Sequence, residues 1–220
     1  MSTIRRHLVG IASAALIVAA HAQPTNITAG EMALTPPVCQ DVQAMPTGWV
    51  QHFRHSPRAP YWESVLGKTF WAMHHYCWAL IHLQRAARPG VTKQARDHMI
   101  RVAIRDYYYV IAEAQRAGEY NFVMLPELYY RAGEAYVQLQ EYAAAIEEFE
   151  KSRRAKADYW PPYVAQAQVH VTLGMRNEAR ALLEQGLQLM PGESNLLSAV
   201  DRLTGSSAAD ARAPTRGRTP

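Results

Sequence analysis

The chain has 220 residues, 23 basic and 19 acidic side chains and two cysteines. Its basic surplus lies at the two ends, because Arg5, Arg6 and the arginine-containing end 205–220 account for it and the span 23–204 is neutral. This distribution excludes the basic stripe that tracks a phosphate backbone, so no nucleic-acid partner is expected.

The N-terminus has the layout of a secretory signal peptide. Arg5 and Arg6 precede an apolar run over 8–20, and Ala20-His21-Ala22 places small residues at the two positions that a signal peptidase reads. This run is shorter than the roughly 20 residues that span a bilayer. Residues 1–22 are therefore predicted to be removed, although retention as an anchor stays open. No later segment has spanning length, so we expect a periplasmic or secreted protein without a membrane span.

Residues 23–60 are predicted to form an extended arm, because prolines recur there and no hydrophobic period is sustained. From residue 61 onward the apolar spacing is helical almost throughout, which predicts an all-α protein. Short polar, Gly- or Pro-containing turns separate the predicted helices, which cover 61–88, 92–117, 126–139, 142–156, 161–173 and 176–190. Residues 205–220 contain no large apolar residue and are predicted to be disordered.

A repeat with a period of 34 residues follows residue 125. The matched positions are Tyr129/Tyr163, Gly133/Ala167, Tyr136/His170, Ala145/Ala179 and Phe149/Leu183. Small residues let two antiparallel helices approach each other, and large ones fill the space between successive pairs. The pattern resembles the tetratricopeptide repeat (TPR) family. That resemblance implies a short solenoid of helix-turn-helix units, with repeats at about 126–159 and 160–193 and a C-terminal helix, preceded by the extended arm.

Two further segments extend this resemblance toward the N-terminus. Trp78-Ala79-Leu80, Ala103 and Tyr107 imitate the small-plus-aromatic pattern, so 61–118 is predicted to be a divergent, TPR-like helical hairpin. Pro-Pro-Val-Cys at 36–39 and His-His-Tyr-Cys at 74–77 are similar to segments of an exported proteobacterial TPR family of uncharacterised function. This second resemblance implies no known activity.

Cys39 and Cys77 are predicted to form a disulfide that ties the arm to the first long helix. The prediction rests on the expected export, because exported proteins meet an oxidising environment. Two buried free thiols are the alternative.

His74, His75, Cys77 and His82 suggest a metal site, but their spacing opposes it. Only His74 and Cys77 share a face, and His75 and His82 are two turns, roughly 10 Å, apart. One helix cannot direct three such ligands to one ion, so we predict a packing role and no metal or cofactor. A metal- or haem-binding carrier that uses the helix around His74–His82 remains the alternative function.

No catalytic residues are predicted, because the sequence has no Gly-rich phosphate loop, no G-x-S-x-G and no H-E-x-x-H motif. We therefore expect a binding protein and not an enzyme.

The TPR resemblance implies that partners bind in the groove formed by the first helix of each pair. The family's groove positions correspond to Glu127, Tyr130, Glu134, Val137 and Gln138, and to Val164, Gln168, Val171 and Thr172. No Lys or Arg occupies them, so the basic clamp for an acidic C-terminus is not expected. Tyr130 is predicted to point into the groove, because Tyr129, Gly133 and Tyr136 take the core positions.

These features together predict an exported adaptor or scaffold that binds a protein or peptide partner in the bacterial envelope. The alternative is that two or three repeats are too few for a groove and pack on the arm instead.

We expect the exported protein to begin at Gln23. Signal peptidase cleaves after a small residue that follows the apolar run, and Ala22 meets that requirement. N-terminal sequencing of the protein recovered from the periplasm should give Gln23 first. Recovery of an intact Met1 from a soluble cytoplasmic product would contradict the expectation.

Overall fold

The computed structural model describes residues 27–42 and 56–210, with side chains as far as residue 205. The predicted signal peptide, 1–22, lies outside the described residues, as do parts of the predicted arm and tail. Every regular element in the described residues is helical, which confirms the all-α prediction. None of these helices combines the length and the apolar character needed to cross a membrane.

The described residues form ten α-helices and one 3₁₀ helix, Gly67–Ala72. The α-helices are α1 Ala29–Ala33, α2 Pro37–Val42, α3 Ala59–Leu66, α4 Met73–Ala86, α5 Lys93–Arg116, α6 Leu125–Gln138, α7 Tyr142–Ala155, α8 Pro161–Thr172, α9 Arg176–Leu189 and α10 Ser194–Asp210. The bounds of α5 to α9 agree with the predicted segments within two residues.

Local signals explain where the repeat helices begin and end. The Thr92 side chain accepts a hydrogen bond from the Ala95 N–H and starts α5. Pro126 and Pro161 occupy first-turn positions, where a missing N–H costs nothing. Gly118 ends the α5 segment at φ 77°, a conformation that residues with a side chain rarely adopt.

The predicted helix over 61–88 is divided into α3, the 3₁₀ helix and α4. Gly67 adopts φ 62° after α3, and Glu119 fixes the break from a distant loop. Its carboxylate accepts the N–H groups of Lys68 at 2.7 Å and Thr69 at 3.1 Å. The break therefore depends on a contact about 50 residues away in sequence, which the local pattern cannot indicate.

The predicted extended arm contains two short helices, so that prediction is wrong for 29–33 and 37–42. A capping box starts α1: Thr28 Oγ1 accepts the Glu31 N–H, and Glu31 accepts the Thr28 N–H in return. The α2 helix is held to α3 by the buried carboxylate of Asp41, which accepts hydrogen bonds from Ser56 Oγ and Trp62 Nε1.

The predicted disordered tail also needs correction, because α10 continues through Asp210. Residues 205–210 are therefore helical, and 211–220 lie outside the described part of the chain.

The helix pairs pack as the repeat predicts. Phe149, Tyr163 and Leu183 are almost fully buried, as are the small residues Ala145 and Ala179. A larger cluster joins α2, α4, α5 and α6. It includes Ala79, Ala103 and Tyr107, the residues from which the divergent hairpin was predicted. Tyr129 and Tyr136, which were expected in the core, are only partly buried.

Cys39 in α2 and Cys77 in α4 lie at disulfide distance. Their sulfur atoms are 2.08 Å apart, their Cα atoms are 5.5 Å apart, and both side chains are fully buried. The pair closes a loop of 38 residues that ties the arm to α4.

We expect Gly133→Ala to destabilise the protein by about 1–3 kcal/mol, the usual cost of overpacking a core. A Cβ atom at Gly133 would lie 2.5 Å from the Phe149 ring. Gly205→Ala is the matched control, because a Cβ there meets no atom within 4 Å and Ala favours a helix by up to about 1 kcal/mol over Gly. Urea unfolding of both variants should give changes of opposite sign. Equal stability of the two would contradict the close packing at Gly133.

Candidate binding groove

The first helices of the three pairs, α4, α6 and α8, carry the predicted groove. Each has a small buried residue at the same place: Ala79, Gly133 and Ala167. Residues at the same distance along the chain from Ala79, Gly133 and Ala167 are therefore equivalent in the three helices. The equivalent residues four and five positions later form two rows across α4, α6 and α8. The aliphatic row is Leu83, Val137 and Val171, and the polar row is Gln84, Gln138 and Thr172.

A hydrogen-bonded network covers the α6 part of the groove. Arg131 Nε donates to Glu127 at 2.7 Å, and Arg131 Nη1 donates to Glu134 at 3.2 Å. Tyr130 Oη donates to Glu134 at 2.7 Å, and Tyr159 Oη donates to the second oxygen of Glu127. The structure thus joins three predicted groove residues, Glu127, Tyr130 and Glu134, through a residue that the sequence reasoning missed.

Burial and neighbouring charges shift the pKa values of side chains in and beside this network. Desolvation lowers the pKa of Arg131, but Glu127 and Glu134 more than offset this and raise it overall. Burial and the hydrogen bond to Glu134 raise the pKa of Tyr130. Burial, followed by the charge of Glu127, raises the pKa of Tyr76 in α4 to about 12. Both phenols are therefore neutral and Arg131 is charged at physiological pH.

The sequence predicted that Tyr130 points into the groove, but the structure places its ring partly in the core. It is half-buried, with its ring 6.1 Å from that of Phe149 and edge-on to Tyr159 at 6.1 Å between centroids. Removal of this ring would disturb the core as well as the groove, so Tyr130 cannot serve as a purely functional probe.

The other predicted groove residues divide by exposure. Val137 packs on the Phe149 cluster, while Val164 and Val171 pack on the Tyr163 cluster. Gln138, Gln168 and Thr172 are exposed. Among the described residues no hydrogen bond links these α8 residues to the α6 network, so they form a separate section of the surface.

The arm borders the α4 end of the groove and encloses a cleft of about 540 Å³. One side is formed by the segment 33–36. The other side is formed by Tyr76, Leu80, Leu83, Gln84 and Arg131. The four α4 residues occupy the positions that Tyr130, Glu134, Val137 and Gln138 occupy in α6. The arm therefore borders the groove positions of α4, whereas its described residues do not cover the exposed residues on α6 and α8.

The arm is held in place by a buried charge as well as by the cysteine pair. Glu31 is only 5% exposed, and Arg85 donates to it through Nε at 2.6 Å and Nη2 at 3.0 Å. Arg88 adds a contact of 2.6 Å, and the Arg85 guanidinium lies over the Trp78 ring at 5.7 Å. The Arg85 hydrogen bond is the main reason that the pKa of Glu31 falls to about 2.

The family comparison agrees with this architecture. Residues 126–159 match the family model for the tetratricopeptide repeat. The chain contains a TPR. The matched span is α6, the turn after it and α7, which is the first of the two repeats read from the sequence. No curated protein sequence matches the chain.

Solved TPR structures resemble the chain at low identity. The first TPR of Spaghetti (RPAP3) bound to an HSP90 peptide is 18% identical with a TM-score of 0.41, over 60% of this chain and 96% of that one. The second TPR domain of human RPAP3, in complex with an HSP70 peptide, is 20% identical with a TM-score of 0.40, over 59% and 98%. The first TPR domain of human RPAP3 is 19% identical with a TM-score of 0.40, over 62% and 98%.

The histidine-rich helix lies outside the TPR, and its side chains do not converge. His74 Nδ1 lies 2.8 Å from the Trp71 carbonyl oxygen, His75 Nδ1 lies 2.6 Å from Asp106, and Cys77 is paired with Cys39. Burial lowers the pKa of His74 and of His82. The part of the chain that the structure describes contains no group of three His, Cys, Asp or Glu side chains that could hold a metal ion.

We expect Glu31→Gln to lower the free energy of unfolding at neutral pH by about 3 kcal/mol, the equivalent of a pKa lowered from 4.5 to about 2. Because the pKa is lower in the folded state, this contribution is complete above pH 4.5 and is lost as the pH falls toward 2. Urea unfolding of the wild type and the variant should therefore converge at the acidic end.

Glu184→Gln is the control, because Glu184 is exposed on α9. It should follow the wild-type curve throughout. A constant difference between wild type and Glu31→Gln from pH 7 to pH 2 would contradict the role of the Glu31 charge.

Proposed function

We propose that this protein is an exported adaptor or scaffold that binds an extended segment of a partner protein in the bacterial periplasm or envelope. The observation that carries the proposal is the pair of parallel rows on the first helices, where an aliphatic row runs beside a polar row. A TPR at 126–159 supports the same class of function, because repeats of this kind stack into extended binding surfaces.

The two rows suit the chemistry of an extended peptide. Such a peptide presents backbone N–H and C=O groups that need partners, and side chains that alternate between its two faces. The exposed amide of Gln138 can donate and accept. The Thr172 hydroxyl donates to the Gln168 carbonyl oxygen at 2.9 Å and can still accept, whereas Gln84 Nε2 donates to the Glu31 carbonyl oxygen of the arm at 3.4 Å. Leu83, Val137 and Val171 offer apolar contacts beside them. The surface therefore fits a backbone held by polar groups and apolar side chains laid against the aliphatic row.

The proposed location rests on two features of the chain. Residues 1–22 have the pattern of a secretory signal peptide. Cys39 and Cys77 stand at disulfide distance in a fully buried position, which suits a compartment that keeps such pairs oxidised. Both features favour export.

Site-specific photo-crosslinking in living cells tests the proposal. A photoreactive phenylalanine analogue replaces Gln138 or Gln168, which are both exposed on first helices. We expect a discrete adduct with a partner protein from each position, because a ligand in the groove would pass within reach of both. Circular dichroism should show unchanged folding, since surface substitutions usually alter stability by no more than about 0.5 kcal/mol.

Gln115 and Gln188 provide matched controls, because both are exposed glutamines on the second helices α5 and α9. They should give no adduct, or different ones. The same adducts from the second helices, or none from Gln138 and Gln168 in the folded protein, would argue that the groove is not the interface.

A further inference from the structure

His82 is a buried histidine that takes no part in the groove. It lies on α4 with only 8% of its surface exposed, and its ring is 5.8 Å from that of Trp78. Its Nδ1 atom is buried and has no hydrogen-bond partner among the described residues. A neutral imidazole carries one N–H group, whereas a protonated imidazole carries two. Protonation would therefore leave a charged N–H group buried without an acceptor, which is costly.

The charges around His82 oppose a further positive charge. Four charged or titratable side chains face it, namely Arg85 from α4 and His98, Arg105 and Asp106 from α5. Asp106 is the one carboxylate of this set, and it already lies 2.6 Å from His75 Nδ1. Burial is the main reason that the pKa of His82 lies below its ordinary value of 6.5, and the attraction of Asp106 does not offset this effect.

The position of His82 couples it to the arm. Arg85 lies three residues later on α4, so the two side chains occupy neighbouring turns of one helix face. Both lie beside the Trp78 ring, with the Arg85 guanidinium 5.7 Å from its centroid. Arg85 in turn holds the buried Glu31 carboxylate of the arm. A movement of α4 that exposes His82 to solvent would therefore displace the anchor of the arm.

We propose that His82 is a pH-sensitive switch whose protonation loosens the hold of α4 on the arm in mildly acidic solution. Release of the arm uncovers Leu80, Leu83 and Gln84, the groove positions of α4 that the arm borders. The switch itself requires no partner, so its test is independent of the proposed function.

The lower pKa of His82 in the closed structure fixes the direction and the pH range of the effect. Above pH 6.5 the imidazole is neutral in both the closed and the open state, so the closed state keeps its full stability. As the pH falls below 6.5, the solvated imidazole of the open state takes up a proton first, and opening becomes more favourable. The contribution of Glu31 stays complete above pH 4.5, so the range between these two values isolates the histidine.

Hydrogen–deuterium exchange of the purified, oxidised chain tests the switch. The wild type is compared with His82→Gln in the same buffer at each pH, because amide exchange itself depends on pH. We expect the ratio of wild-type to variant exchange in α1 to rise severalfold from pH 7.5 to pH 5.5, with about tenfold for each pH unit below 6.5 as the upper bound. The same ratio for α8 and α9 should stay constant and serves as the internal reference.

His74→Gln is the matched control. His74 is also on α4, and burial lowers its pKa too. Its Nδ1 atom, however, lies 2.8 Å from the Trp71 carbonyl oxygen, and about three turns of helix separate it from Arg85. This variant should keep the acid-induced exchange of α1.

NMR titration of the His82 ring in the wild type adds a test that needs no substitution. We expect the ring to titrate below pH 6.5, together with the change in α1 exchange. Titration of His82 at or above pH 6.5 would overturn the proposal. An exchange ratio in α1 that stays the same from pH 7.5 to pH 5.5, or an acid response that His74→Gln abolishes, would overturn it as well.

Discussion

The architecture depends on how closely two antiparallel helices can approach. Gly133 lies against the Phe149 ring, at a distance where even a methyl group would clash. Ala79, Ala145 and Ala179 are likewise small and fully buried. These residues bring each first helix onto its second helix, so exposed residues lie on the other side of α6 and α8, while that side of α4 borders the arm. The groove is therefore a consequence of the packing, because the same geometry that buries one face presents the other in register along α4, α6 and α8.

The arm adds a different kind of stabilisation to this regular framework. Removing a carboxylate from water is costly, and the cost is offset at Glu31 because Arg85 supplies two hydrogen bonds, Arg88 a third and the Thr28 N–H a fourth. The Trp78 ring beneath Arg85 holds the guanidinium in place. The arm is thus positioned by these ion pairs together with the apolar residues of α2 that belong to the core cluster.

The sequence predicted the repeat helices well because their determinants are local and periodic. The spacing of small and large apolar residues, together with Pro126 and Pro161, was enough to place α6 and α8. The break at Gly67 could not be predicted in this way, because Glu119 makes it from about 50 residues away. The α1 helix was missed because the surrounding prolines suggested an extended chain. Thr28 and Glu31 nevertheless have the sequence spacing of a capping box.

In the candidate site, too, the repeat period predicted which positions lie in the groove but not how their side chains are arranged. Counting along the repeat selected Glu127 and Glu134, which the structure joins in one hydrogen-bonded network. It missed Arg131, which lies one position outside the groove set but reaches both carboxylates, four residues from one and three from the other. It also placed Tyr130 too far from the core, because the ring packs on Phe149 from the next helix. Side-chain direction depends on such neighbours, which a single helical period does not describe.

The cysteine pair changes how the arm competes with a ligand. Glu31 lies eight residues before Cys39, so an arm whose ion pairs open remains within roughly 26 Å of its site, at about 3.3 Å per extended residue. A segment tethered by so short a linker behaves as though present at a millimolar effective concentration. The arm therefore rebinds far sooner than a free peptide of the same sequence would. A partner that displaced it would compete with this local concentration, whereas a partner that binds beside it gains a wall that is always in place.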